Sequence, residues 1–166
     1  ARHFLSIEEV KFFIDQMVRY KYNVLQLHLT DDQGWRMEII KHPELASKQH
    51  YTQDQLKELI EYARERQVMV VPELDVPGHT VSLLAVYPNF ACEHLVQAEK
   101  IMGKTEQMML CAAKEEVYLL LADVIQEVAK VFDAPYIHLG GDEAAIRKNW
   151  AECKDCQQMM QKLGYS

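Results

Sequence analysis

No apolar run in this chain of 166 residues reaches the roughly 18 needed to cross a bilayer as a helix, so no membrane span is expected. The opening residues, Ala1-Arg2-His3-Phe4, do not resemble a secretory signal. The net charge of −7 is spread along the chain and no Lys/Arg cluster forms a stripe, which argues against nucleic acid as a partner. Internal repeats, low-complexity tracts and linkers are absent too, so residues 1–166 are expected to form a single domain. The hydrophobic content of 49% is ample for one buried core.

Cysteine is scarce. Four residues, Cys92, Cys111, Cys153 and Cys156, are too few for a disulfide scaffold. Cys153-Lys-Asp-Cys156 has the spacing of a redox or half-zinc motif. No second Cys/His pair stands near it in the sequence at ligand spacing, so the pair reads as structural or incidental and no metal or other cofactor is expected. Cys92 and Cys111 could cross-link the loop between them in an oxidising compartment.

Periodicity is plentiful. Ser6 followed by Glu9 has capping-box spacing, and Val10, Phe13, Ile14, Met17 and Val18 recur at helical intervals, which predicts a helix over 7–21. Thr52 with Gln55 repeats the signature ahead of Leu56, Leu59, Ile60 and Ala63. The clearest helix runs from Glu116 to Phe132, with further helices predicted near 81–86, over 144–151 and over 155–163. The segment from Asp75 to about Gly103 is otherwise read as loop, broken by Pro77 and Pro88. Met102, Met108, Met109, Met159 and Met160 read as adaptable packing.

Strand-like runs alternate with these helices at Asn23–Leu29, Gln67–Pro72 and Tyr136–Leu139, and Thr30 to His50 reads as a long loop with an extended piece near Trp35–Ile40. This order predicts an α/β fold with a parallel sheet and helices outside. Each strand ends in polar groups: Thr30-Asp31-Asp32-Gln33-Gly34, then Glu73-Leu74-Asp75-Val76-Pro77-Gly78-His79, then Gly140-Gly141-Asp142-Glu143. A lone acidic pair after Gly-Gly suits an ordinary helix start. Three such exits in one chain gather acids at one sheet edge, where barrel and open-sheet enzymes hold their sites, and paired acids there suggest glycoside chemistry. A complete eight-stranded barrel needs about 250 residues, so three strands make only part of a (β/α)8 TIM barrel, with the first strand expected just before Ala1.

Four segments in order resemble the catalytic barrel of the β-N-acetylhexosaminidases, glycoside hydrolase family 20. They are Arg2-His3-Phe4, His28-Leu29-Thr30-Asp31-Asp32-Gln33-Gly34-Trp35, Pro72-Glu73-Leu74-Asp75-Val76-Pro77-Gly78-His79, and His138-Leu139-Gly140-Gly141-Asp142-Glu143. The resemblance covers essentially the whole chain but only the first half of the family's barrel.

The resemblance implies that Glu143 is the general acid/base and that Asp142 orients a 2-acetamido group, whose own carbonyl oxygen attacks the anomeric carbon. It implies that Asp31 and His79 form a supporting pair, and that Arg2 grips sugar hydroxyls. His28, Asp32, Glu73, Asp75 and His138 are left as strand-end structure, and Trp35 as a packed loop aromatic. Substrates would be oligosaccharides or glycoconjugates ending in N-acetylglucosamine or N-acetylgalactosamine, in a secreted, periplasmic or lysosomal setting. Later strands would complete the pocket, so these residues alone are expected to turn over little. A second reading is a noncatalytic half-barrel that self-associates through open edges. A third, metal hydrolysis through His28, Asp31, Glu73 and His79, requires a convergence that strand ends alone do not guarantee.

Overall fold

The computed structural model describes residues 2–95, 108–144 and 146–165. Both capping boxes form. Ser6 accepts from the Glu9 amide and opens α1 (Ile7–Arg19), and Thr52 accepts from the Gln55 amide and opens α2 (Gln53–Arg64), with each Glu or Gln side chain reaching back to the cap. Between them lie β1 (Val24–His28) and a small antiparallel hairpin of β2 (Thr30–Asp31) and β3 (Gly34–Trp35). There follow β4 (Met69–Glu73), α3 (Val81–Val86), α4 (Glu115–Phe132), α5 (Ile146–Glu152) and α6 (Lys154–Lys162). The helices expected at 7–21, 116–132, 144–151 and 155–163 thus form with ends moved by one or two residues. Residues 96–107, with Met102 and part of the loop expected before Gly103, lie outside the described residues.

β1 and β4 pair in parallel from Val24↔Met69 to His28↔Glu73, with α2 in the connection between them. The chain is therefore α/β with parallel pairing, as its order of elements predicts. α2 packs against α1, α4 and β4, and the core gathers Ile14, Leu56, Leu59, Ala63, Val70, Val124 and Val128 between them. Dense packing of this kind leaves the backbone at the strand ends little freedom. Not all of the predicted apolar face of α1 is covered: Val10 and Ile14 are buried, whereas Phe13 and Val18 are exposed.

The expected third strand, Tyr136–Leu139, is not a buried strand. It makes one parallel bridge, His138 to Glu73, and Tyr136 and Leu139 are exposed. Pro72 explains the truncation. The His138 amide donates to the Pro72 carbonyl at 2.9 Å, so Pro72 turns its backbone toward this segment, yet it has no N–H to donate one step upstream. Downstream, the Leu74 amide donates to His138 and the Val76 amide to Leu139, which holds the exit of the segment beside that of β4.

The four cysteines are free and buried, so no cross-link joins Cys92 to Cys111. Met108 and Met109 are buried in packing, and Met159 and Met160 are partly buried. No helix among the described residues is long and apolar enough to cross a membrane.

Candidate active site

Because β1 and β4 run in the same direction and in register, their C-terminal ends deliver polar residues to one rim. His28, the last residue of β1, lies opposite Glu73, the last of β4, with Nδ1 2.9 Å from the Glu73 carboxylate and Nε2 3.5 Å from that of Asp31. Glu73 also accepts from the Gln26 amide at 2.8 Å and faces His138 at 3.3 Å. Burial opposes the charge on Glu73, but the hydrogen bonds from Gln26 and His28 and the two imidazoles outweigh it and leave its pKa below the ordinary value. His28, Asp31, Glu73 and His79 are therefore linked as successive carboxylate–imidazole pairs and, among the described residues, do not share one ligand group.

His79 occupies the centre. Its backbone adopts φ +50°, a left-handed conformation that histidine tolerates better than most residues. Nδ1 lies 3.4 Å from Asp31 and 3.7 Å from Asp32; Nε2 lies 3.4 Å from Glu143, 3.8 Å from Asp142 and 4.0 Å from Asp75. Burial works against its charge. The carboxylates of Asp75, Asp32, Asp31 and Asp142 outweigh that cost and raise its pKa above the usual 6.5. A raised histidine pKa contributes stability that is complete below the unfolded value and lost as pH rises through the folded one. The stability difference between the parent and His79→Asn is expected to shrink as urea unfolding is moved from about pH 5.5 to about pH 8.5. Asn keeps the left-handed backbone accessible. A difference that stays constant with pH would mean that no such titration is linked to folding.

Asp31, His79, Asp142 and Glu143 thus meet around one imidazole. Asp31 is nearly buried in β2, its carboxylate accepting from the Asp32 amide at 2.8 Å and its carbonyl from the Ser82 hydroxyl at 2.7 Å. Asp142 and Glu143 project from the exit of residues 136–139 with side chains 69% and 78% exposed, open to a ligand arriving from solvent. Arg2 is exposed, its carbonyl accepts from Arg36 at 3.3 Å, and its guanidinium partly offsets the burial that raises the pKa of Asp32. Trp35 is buried as a packed aromatic and offers no face to a sugar.

Asp75, expected as strand-end structure, also anchors the acidic exit. It is fully buried, its amide donates to the Thr30 hydroxyl at 2.8 Å, and its carboxylate accepts from the Gly141 amide at 2.9 Å. Burial raises its pKa; the Gly141 amide opposes the shift and the charge of Asp142 adds to it. The local pattern around Asp75 carries no sign of this role, because its partner lies 66 residues further along the chain.

The chain is similar to known proteins along its whole length. Residues 1–166 match the family description "Glycosyl hydrolase family 20, catalytic domain". A beta-hexosaminidase of Porphyromonas gingivalis is 39% identical over 177 aligned residues, covering 99% of this chain and 23% of that protein. A crystal structure of a beta-N-acetylhexosaminidase superposes with a TM-score of 0.89 at 36% identity, covering 99% of this chain and 38% of that one. The exo beta-N-acetylglucosaminidase of Vibrio harveyi, solved in complex with N-acetylglucosamine, superposes with a TM-score of 0.82 at 30% identity, covering 100% and 29%. The chain spans about a quarter to a third of the length of the curated relatives it matches. With the match running the whole length of the chain, and solved relatives sharing the backbone that carries these acids, the chain belongs to glycoside hydrolase family 20.

Proposed function

We propose that the full-length protein is a β-N-acetylhexosaminidase that removes terminal N-acetylglucosamine or N-acetylgalactosamine with retention of configuration. In this reading Glu143 donates its proton to the glycosidic oxygen as the substrate's acetamido carbonyl oxygen attacks the anomeric carbon. The glycosidic C–O bond breaks and an oxazolinium forms. Glu143 then takes a proton from water, which opens that ring from the same face the leaving group left. Asp142 orients the acetamido group and balances the positive charge on its nitrogen. His79, held by Asp31, sits behind both acids, and Arg2 binds sugar hydroxyls from the neighbouring rim.

The observation that carries the reading is the single imidazole of His79, 3.4 Å from Asp31 on one side and 3.4 Å from Glu143 on the other. The N-acetylglucosamine held by the Vibrio harveyi relative supports the substrate class. The fold extends the same way: β1, β4 and the 136–139 segment are read as neighbouring strands of a (β/α)8 barrel, and residues 1–166 as one domain forming its first half. Exposed apolar side chains at Val24, Tyr136 and Leu139 fit edges that further strands would cover.

In the full-length protein, Asp142→Asn is expected to lower kcat on a nitrophenyl N-acetyl-β-glucosaminide by about 10²-fold, the scale of losing one aligned charge-stabilising group. Turnover equal to the parent's would remove Asp142 from the reaction.

A further inference from the structure

We infer that the four buried cysteines form a tetrahedral zinc site that fastens the helices after the acidic exit to the wall behind His79. Cys92 and Cys111 are brought together by the antiparallel bridge between Ala91 and Leu110, with the Cys111 amide donating to Phe90 at 2.8 Å. Cys153 and Cys156 come from the junction of α5 and α6, where Cys153 is the residue that opens α6. All four sulfurs lie within 4.8 Å of one another.

The spacing separates a cation site from a pair of disulfides. Zinc–thiolate bonds of about 2.3 Å set at tetrahedral angles put the sulfurs about 3.8 Å apart. Cys156 Sγ lies 3.5 Å from Cys111 and 3.8 Å from Cys92, and Cys153 Sγ lies 4.0 Å from Cys111. Cys111 and Cys156 each have two such neighbours, so the sulfurs form one group; two disulfides would divide them into pairs at about 2.05 Å. Leu95, Ala112, Ala113 and Trp150 wall the group in, and the Trp150 indole donates to the Leu110 carbonyl at 2.9 Å. Four soft donors with no position left for water describe a structural site.

Its placement gives it a task. The Leu110 amide donates to the Pro77 carbonyl at 3.0 Å, two residues before His79, while Cys153 follows Glu143 by ten positions. A cation bound to all four sulfurs would tie these two stretches at a point outside the rim. The inference stands apart from the proposed activity, since a protein inactive on hexosaminides could still carry the metal.

The test is metal analysis and zinc-edge X-ray absorption on the full-length protein, expressed with zinc and purified without chelator. About one zinc per chain is expected, in a shell of four sulfurs near 2.3 Å. Cys153→Ser with Cys156→Ser is expected to reduce the zinc below about 0.1 per chain, since two thiolates do not make a closed site. Should that variant fail to fold, cobalt loaded into the parent gives the same answer through sulfur-to-cobalt charge-transfer bands. Free thiols without zinc after reconstitution, iron in its place, a shell of nitrogen and oxygen, or an intact mass showing two disulfides would each overturn the assignment.

Discussion

Glu143→Gln in the full-length protein is expected to lower kcat by about 10³-fold on an unactivated N-acetylglucosamine disaccharide, within the range that positioned proton transfer contributes. Gln has the shape of Glu but cannot deliver a proton to the departing oxygen. The loss should therefore depend on the leaving group. A nitrophenolate departs with little help, so on an aryl substrate the first step is spared and the defect shrinks toward about 10²-fold, set by the unassisted attack of water in the second. The Glu143 side chain is 78% exposed, so the substitution should leave thermal unfolding nearly unchanged. Comparing kcat on the two substrates checks the role directly. An equal defect on both would assign Glu143 to binding and not to proton transfer.

A leaving-group effect confined to Glu143 would also separate it from its neighbour. Asp142 acts on the acetamido group whatever the aglycone, so Asp142→Asn should cost the same on both substrates. Adjacent residues can divide the work this way because the chain turns sharply between them. Gly140 and Gly141 have φ of +63° and +99° and Glu143 has φ of +49°, so the two carboxylates do not project in the alternating manner of a regular strand.

What could be read from the chain and what could not divide along sequence distance. Ser6 with Glu9 and Thr52 with Gln55 interact within one helical turn, so their spacing alone announced the start of each helix. Asp31, His79, Asp142 and Glu143 were legible as strand exits of one direction, since a parallel sheet puts all such exits on one edge. The 136–139 segment runs parallel beside β4, as its apolar composition suggests, but it makes only one bridge, because the missing donor belongs to Pro72 on the facing strand. Glu127 sits among the apolar residues of α4 and is buried, accepting from the Ile40 amide at 2.7 Å and the Lys41 amide at 2.9 Å. Only the fold supplies those partners. The cysteines follow the same rule: the Cys-Lys-Asp-Cys half was visible, but its complement lies 42 or more residues earlier and is adjacent only in space.

Gly140→Ala is expected to destabilise the full-length protein by about 2–5 kcal/mol and to lower kcat by about 10²-fold, although no catalytic atom is altered. A Cβ at this position would stand 1.9 Å from Asp75 Oδ1 and 2.7 Å from its Cα. Asp75 cannot retreat easily, being fully buried and fixed through Thr30 and Gly141. Relief must come from the Gly140–Gly141 turn moving outward, which carries Asp142 and Glu143 away from His79, or from Asp75 shifting beneath that imidazole. Gly141→Ala isolates the cause. It shares the left-handed backbone, yet its nearest new neighbour is the Val76 carbonyl at 4.0 Å, so only the conformational cost of about 1–2 kcal/mol applies. Thermal unfolding and kcat measured on both variants decide the matter: a smaller loss at 141 than at 140 identifies contact with Asp75 as what holds the acids in place, and equal losses would reduce both glycines to turn formers.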